Sequence, residues 1–181
     1  MELKILEQRT KETNLAKWTK YRIEPPKDVT SPLQCWGIDV GTVHAGIAII
    51  PYITDKSYID LYQIKVPRWK DAVDRIIHWQ DVLGEMNLII QGHCRMVIEG
   101  AAYGTGYREA ELSEIRASTV LWAYRLGMET RIIPPNTIRK HVLGNGKLKA
   151  HEVWYLKDAP DAVAALACAY YASEYWEKQN E

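Results

Sequence analysis

The chain has 181 residues, enough for one domain with a substantial core. Hydrophobic residues make up 47% and charged residues 25%, an ordinary globular balance, and 23 basic groups stand against 23 acidic ones. The best apolar run, 162–172, is too short to span a bilayer, and Cys35, Cys94 and Cys168 form no CxxC pair, which argues against a membrane span and a zinc knuckle.

The N-terminal stretch MELKILEQRTKE has no signal-peptide apolar region, so the expectation is a soluble intracellular protein in a reducing compartment. Residues 1–32 read as an N-terminal extension, an arm or a disordered segment. Ile5 to Tyr21 is expected to form a short helix before Pro25, Pro26 and Pro32 break regular structure. The folded domain is expected to span 33–181.

Leu33 to Asp39 reads as a buried strand, and Ala45 to Ile53 as a second, turned through Gly41 to His44. Ser57 to Val66 places Tyr58, Asp60, Tyr62 and Ile64 on one face, as in a third antiparallel strand. Helical periodicity follows over 68–90, with Val73, Ile76, Ile77, Val82 and Leu83. Met96 to Glu99 is a short apolar strand. Glu109 to Leu126 is a helix that Gly127 stops, and Thr130 to Ile133 is another strand. Asn136 is expected to cap a short helix through His141. Gly144-Asn145-Gly146 is a loop, followed by helices over Lys149–Leu156 and Pro160–Trp176. Three strands followed by alternating helices and strands make a mixed α/β pattern.

Two acids end apolar strands: Asp39 in CWGIDVG and Glu99 in RMVIEGAAYG. Taken singly, each is an ordinary turn-capping or strand-end carboxylate. Asp158 and Asp161 stand three apart where a helix begins, a spacing that lets both face the same way. There Asp158 also reads as the N-cap and Asp161 as a complement to the helix dipole. The small apolar helix that follows, AVAALACA, implies close packing on a sheet, which would hold its leading acids near the strand ends. Clustered carboxylates repel, and a hard cation with oxygen ligands, Mg²⁺ or Mn²⁺, relieves that repulsion. Two such ions about 4 Å apart activate water and stabilise the leaving oxygen in phosphodiester cleavage.

In order along the chain, GIDVG, VIEG, a GNG loop followed by lysines, and DAPDAVAAL resemble the RuvC family of Holliday-junction resolvases, over about Leu33 to Ala172. The resemblance implies an α/β, ribonuclease H-like fold. Its mixed five-stranded sheet, three antiparallel strands and then parallel ones, is flanked by helices. It further implies a homodimeric, metal-dependent endodeoxyribonuclease that makes paired nicks in a four-way DNA junction, with two Mg²⁺ per active site and Mn²⁺ able to substitute. The family's four catalytic, metal-binding acids carry over to Asp39, Glu99, Asp158 and Asp161, with Asp39 bridging the ions. The junction-facing aromatic falls at Ala102 in strict register, with Tyr103 the nearest aromatic. Phenylalanine is absent, tryptophan is abundant and the 1–32 extension is unlike the compact cellular members, so a divergent member of the family is expected, with a viral or phage origin one option. A cytoplasmic or nucleoid-associated location is implied, the host cytoplasm for a virus.

Charge distribution adds a nucleic-acid surface. Arg131, Arg139, Lys140, Lys147, Lys149 and Lys157 face only Glu152 between 131 and 157, and an acidic segment follows. Arg139 and Lys140 are candidate phosphate contacts, as are Asn145, Lys147 and Lys149 around the GNG loop and His151 beside it. Tyr103, Tyr107 and Arg108, in the Gly-rich loop after Glu99, are candidates for base stacking and DNA contact. Solvated surface or ordinary loop packing is the plain alternative for each. Helix 109–126 would supply a dimer interface or pack on its own sheet.

Three other functions share parts of this pattern. GIDVGT is also the first phosphate loop of actin-like ATP-binding proteins, but those need a second such domain. A junction-binding protein without activity would not need all four acids. The same chemistry on a flap or RNA–DNA hybrid is barely separable by sequence, although a two-fold dimer matches a four-way junction.

Overall fold

Among the described residues seven segments form strands, β1 (Ile5–Glu12), β2 (Lys17–Ile23), β3 (Gln34–Asp39), β4 (His44–Ile50), β5 (Ile59–Lys65), β6 (Cys94–Glu99) and β7 (Glu129–Ile133). The helices are α1 (Ala72–Glu85), α2 (Glu109–Arg125), α3 (Pro135–Leu143), α4 (Ala150–Val153) and α5 (Pro160–Glu174). The structure is a computed structural model and describes residues 1–26, 33–52, 58–66, 71–86, 93–101 and 109–176.

The strands make one sheet in the order β1-β2-β5-β4-β3-β6-β7. Pairing is antiparallel from β1 through β3, and parallel for β3 with β6 and β6 with β7. Both faces are covered, so the central strands are apolar on both sides. On one face Trp36, Ile38, Ile47, Ile64 and Met96 pack with Trp79, Leu83 and Ile115 of α1 and α2. On the other, Cys35, Ala48, Leu61 and Val97 pack under α5, with α3 and α4 beside it.

Local chemistry sets the helix ends. The Asp71 side chain accepts the Asp74 N–H at 2.9 Å and caps α1. The Trp79 indole N–H donates to Thr119 Oγ1 at 2.8 Å, fastening α1 to α2. As expected, α2 stops at Gly127, whose φ of 73° lets the Met128 N–H reach the Ala123 carbonyl at 3.0 Å. Helix α3 begins at Pro135 with Pro134 as its N-cap, so Asn136 lies inside it rather than capping it. Proline suits the first turn because its missing N–H is unpaired there in any case. The helix expected over Lys149–Leu156 is a single turn, Ala150–Val153.

Two expectations are corrected at the N-terminus. Residues 5–23 are two strands rather than a helix, and they raise the sheet from five strands to seven. Their stabilising partners lie across strands rather than along the chain. Trp18 is buried against the α1 side, and Tyr21 and Ile23 are buried against the α5 side. Arg22 donates to both oxygens of Asp60 on β5 at 2.8 and 3.1 Å, and the Thr10 and Thr19 hydroxyls meet at 3.0 Å. The turn between the strands is tied to α1 by Thr13 Oγ1, which donates to Glu85 at 2.9 Å.

Helix α5 rests on β3 and β4 at unusually close range. From Ala162 to Ala172 only Ala164 is not fully buried, so the helix has no polar face to turn outward. A Cβ on Gly37 would stand 1.9 Å from the Ala165 carbonyl oxygen and 2.3 Å from the Ala169 nitrogen. A Cβ on Gly46 would stand 2.0 Å from the Asp161 carbonyl oxygen. These are backbone atoms of α5, so a side chain at either position must lift the helix. No helix among the described residues is long and apolar enough to cross a membrane.

Gly37→Val and Gly46→Val are each expected to destabilise the protein by about 3 kcal/mol or more, at or beyond the upper end of ordinary overpacking. Urea unfolding measures this. A cost under about 0.5 kcal/mol at both positions would contradict the close docking.

Candidate active site

The strand register gathers the acids. Asp39 ends β3 on the face of Gly37, the α5 side, because side chains alternate along a strand. Ile38 pairs with Ile98 in the parallel β3–β6 ladder, which sets Glu99 beside Asp39 at the same sheet edge. Asp39 also pairs with Gly46, where the first turn of α5 presses on the sheet and delivers Asp161. Asp39, Glu99 and Asp161 thus share a cleft of roughly 200 Å³, with Arg139, Lys149 and His151 also on its walls.

Charge in this cleft is poorly compensated. Burial pushes the Asp39 carboxyl well above the usual carboxylate range, and the Glu99 and Asp161 charges push it further. Burial raises Glu99 as well, against the pull of Arg139 and Arg116. Arg139 of α3 approaches Glu99 Oε1 at 3.4 Å. Cys168 lies buried beneath, its thiol pushed up by burial and by the two acids, so it stays neutral and unreactive.

Two positioning residues escaped the sequence reading. Gln63 on β5 stands in register with Gly46 and reaches the start of α5. Its Nε2 donates to Asp161 Oδ2 at 2.5 Å, and its Oε1 accepts the Ala162 N–H at 3.1 Å. It therefore caps the helix and holds the acid at once. Only the opposite face of this strand, carrying Tyr58 to Ile64, showed a pattern in the sequence. Arg116 of α2 is buried and donates to the backbone oxygens of Glu99 at 3.0 Å and Gly100 at 3.1 Å, and to Glu109 Oε1 at 2.6 Å. It fixes the end of β6 from behind. An arginine inside a helical pattern carries no signal for that contact.

Asp158 is not the N-cap expected of it. Ala159 holds that position without a side-chain hydrogen bond, and Gln63 supplies the missing acceptor. Asp158 has a φ of 62°, left-handed backbone that Asp tolerates better than most residues, and it is exposed. It lines a neighbouring groove that shares Pro160 and Asp161 with the acid cleft.

The basic candidates divide. Arg139, Lys149 and His151 line the cleft. Lys140 and Lys147 are exposed away from it, and Asn145 Oδ1 accepts the Lys147 N–H at 3.0 Å, shaping the GNG turn. Tyr103, Tyr107 and Arg108, together with Ala102, lie outside the described residues. Ile115 of α2 is fully buried on its own sheet, whereas Leu121 and Tyr124 are exposed.

Among the described residues, no group of three or more His, Cys, Asp or Glu side chains is arranged to hold a metal ion. The donor chemistry nevertheless fits a hard divalent cation. The candidate donors are carboxylate oxygens that line one cleft, and the Glu99 and Asp161 charges raise the proton affinity of Asp39.

No family model and no curated protein sequence matches the chain. Solved structures do. RuvC from Thermus thermophilus superposes with a TM-score of 0.51 at 17% identity, over 77% of this chain and 95% of that one. T. thermophilus RuvC in complex with a Holliday junction substrate matches with a TM-score of 0.51 at 16% identity, over the same shares. The chain therefore has the ribonuclease H-like fold of RuvC.

A carboxyl held above its ordinary pKa keeps its proton in the folded state after the unfolded chain has lost it. The folded state then binds more protons, so stability falls as pH rises from the ordinary carboxylate range through the raised values. In chelator, the wild type is expected to lose melting temperature from pH 4 to 7 more steeply than Asp39→Asn. At pH 7 the variant should melt at least about 3 °C higher, corresponding to roughly 1 kcal/mol. Parallel pH profiles would contradict the buried-acid account. Gln63→Ala is expected to cost about 1 kcal/mol through the lost cap, read by urea unfolding. An unchanged midpoint would remove Gln63 from the site.

Proposed function

We propose that the protein is a metal-dependent endodeoxyribonuclease that resolves four-way DNA junctions. The observation that supports this best is the sharing of one cleft by Asp39, Glu99 and Asp161, each delivered by a different element. The fold is the one found in a RuvC complex with a Holliday junction substrate.

In this reading Asp39, Glu99, Asp158 and Asp161 hold two Mg²⁺, or Mn²⁺ in their place. When bound, the ions supply an activated water and neutralise charge on the phosphate and its leaving oxygen. The chain's own groups do the positioning. Gln63 orients Asp161, and Arg116 anchors the backbone that presents Glu99. Arg139 reaches Glu99 from the opposite wall and balances the cleft before substrate enters. Lys149 and His151, exposed on that wall, receive the phosphates beside the scissile one. Lys140, Asn145 and Lys147 extend that contact outward, and Tyr103, Tyr107 and Arg108, after Glu99 in sequence, are candidates for base stacking and DNA contact.

Symmetric cleavage of a four-way junction requires two active sites facing its two-fold axis. A homodimer supplies them. Val73 and Ile77 on α1 and Leu121 and Tyr124 on α2 are exposed apolar side chains on the face opposite α5. They are the surface that such a dimer would bury.

The test is cleavage of a labelled four-way junction with Mg²⁺, with Mn²⁺ and with chelator, beside duplex, flap and RNA–DNA hybrid. Paired symmetric nicks in the junction, dependent on the ion, are expected. Asp39→Asn is expected to lower the rate by at least about 10³-fold, a loss of roughly 4 kcal/mol of transition-state stabilisation, while junction binding persists. Cutting of a control substrate alone would move the substrate. Undiminished cutting by the variant would sink the assignment.

A further inference from the structure

The acid cleft continues beyond Asp161 into a groove of roughly 350 Å³ lined by Lys17, Thr19, His44, Gln63, Lys65 and Asp158. Its floor is the sheet itself. In one row across the strands, His44 of β4 pairs with Lys65 of β5, Lys65 with Lys17 of β2, and Lys17 with Glu12 of β1. The next row runs Asp39, Gly46, Gln63, Thr19 and Thr10. The groove and the acid cleft therefore lie on one face of one sheet, in register. With strands about 4.8 Å apart, Thr19 is three strands, or about 14 Å, from Asp39.

The two faces of this part of the sheet treat their cations differently. On the α1 side, Lys20 and Arg22 each pair with Asp60 at 2.8 Å, and Lys11 lies 3.9 Å from Glu85. On the groove side, Lys65 stands directly between His44 and Lys17 and has no carboxylate within ion-pair distance among the described residues. Among the described residues, Lys17 pairs only with the exposed Glu12, at 3.2 Å. Like charges placed directly opposite across strands repel, so Lys65 beside Lys17 favours an anion over that pair. The row is exposed, faces the cleft and is too long for a single small anion. It suits a chain of phosphates.

We infer that this groove binds the phosphodiester backbone of the DNA strand leaving the active site, with Lys65, Lys17 and His44 contacting successive phosphates. The inference rests on the nuclease reading and adds to it a substrate path over the N-terminal hairpin, on the side of the cleft away from Arg139, Lys149 and His151. The hairpin is then part of the substrate-binding surface, and Thr19 donates its hydroxyl to a phosphate in the same track.

The test is salt-dependent binding of a fluorescent four-way junction and of single-stranded DNA in chelator, with cleavage of the junction measured in Mg²⁺. The double variant Lys17→Ala/Lys65→Ala is compared with the wild type, with Lys17→Gln/Lys65→Gln and with Arg9→Ala, a hairpin cation on the opposite face. Both groove variants should bind at least about 10-fold more weakly. Their plots of log affinity against log salt should be shallower by about 2, the loss of two phosphate contacts. Arg9→Ala should match the wild type, and circular dichroism melts should show that the exposed substitutions leave the fold intact. Wild-type affinity and salt slope in both groove variants would overturn the groove while leaving the nuclease reading standing. A wild-type protein that binds neither DNA and cuts no junction would overturn both.

Discussion

Everything at the candidate site depends on how closely α5 lies on β3 and β4. Gly37 and Gly46 leave no side chain between helix and sheet, and the alanines of α5 let its backbone settle into that space. With a side chain at Gly46 between helix and sheet, α5 and Asp161 would stand further from β3 and Asp39. With the helix seated on Gly46, Asp161 in its first turn shares a cleft with Asp39 at the end of β3. The same contact gives Gln63, one strand further on, the reach to cap the helix and hold the acid. The fold places Asp39, Glu99 and Asp161 on regular elements, while Asp158 lies in the turn before α5.

The arrangement is costly as it stands. Carboxyls buried at a sheet edge beside one another favour the protonated state, and Arg139 and Arg116 offset that only in part. Proteins tolerate such a cluster where a cation and a phosphate complete it, and active sites are where such perturbed groups gather. Stability and activity are then linked through one set of residues. The charge distribution extends the logic: Arg139, Lys149 and His151 stand on one side of the acids, and Lys65 and Lys17 on the other. A polyanion passing through the cleft meets positive charge on entry and on exit.

The parts legible in the sequence were those written as local pattern. The strand ending in Asp39, the strand ending in Glu99 and the small-residue helix led by Asp161 were visible because apolar runs with an acid at one end are local. Gly127 as a helix stop was visible for the same reason. The N-terminal hairpin was misread as a helix because its stability comes from Arg22 with Asp60, Thr10 with Thr19, and Trp18 in a distant core. Mixed charge along 5–23 gave no period to set against that. Gln63 and Arg116 were missed because a glutamine on a strand and an arginine on a helix look like solvated surface until a partner far along the chain reaches them. Asp158 as an N-cap was a sound local expectation, overruled when Gln63 took the Ala162 N–H.

The central claim is that the helix-start and strand-end acids act as one cation site. Mn²⁺ binding by the metal-free protein, followed by the loss of the free-ion paramagnetic resonance signal, tests it most directly. Wild type should take up Mn²⁺ saturably. Asp39→Asn and Asp161→Asn should each abolish or weaken that uptake by at least about 10-fold, roughly 1.4 kcal/mol of binding free energy. Asp81→Asn, an exposed acid on α1, should leave it unchanged. Equal uptake by the wild type and by both site variants would contradict the account.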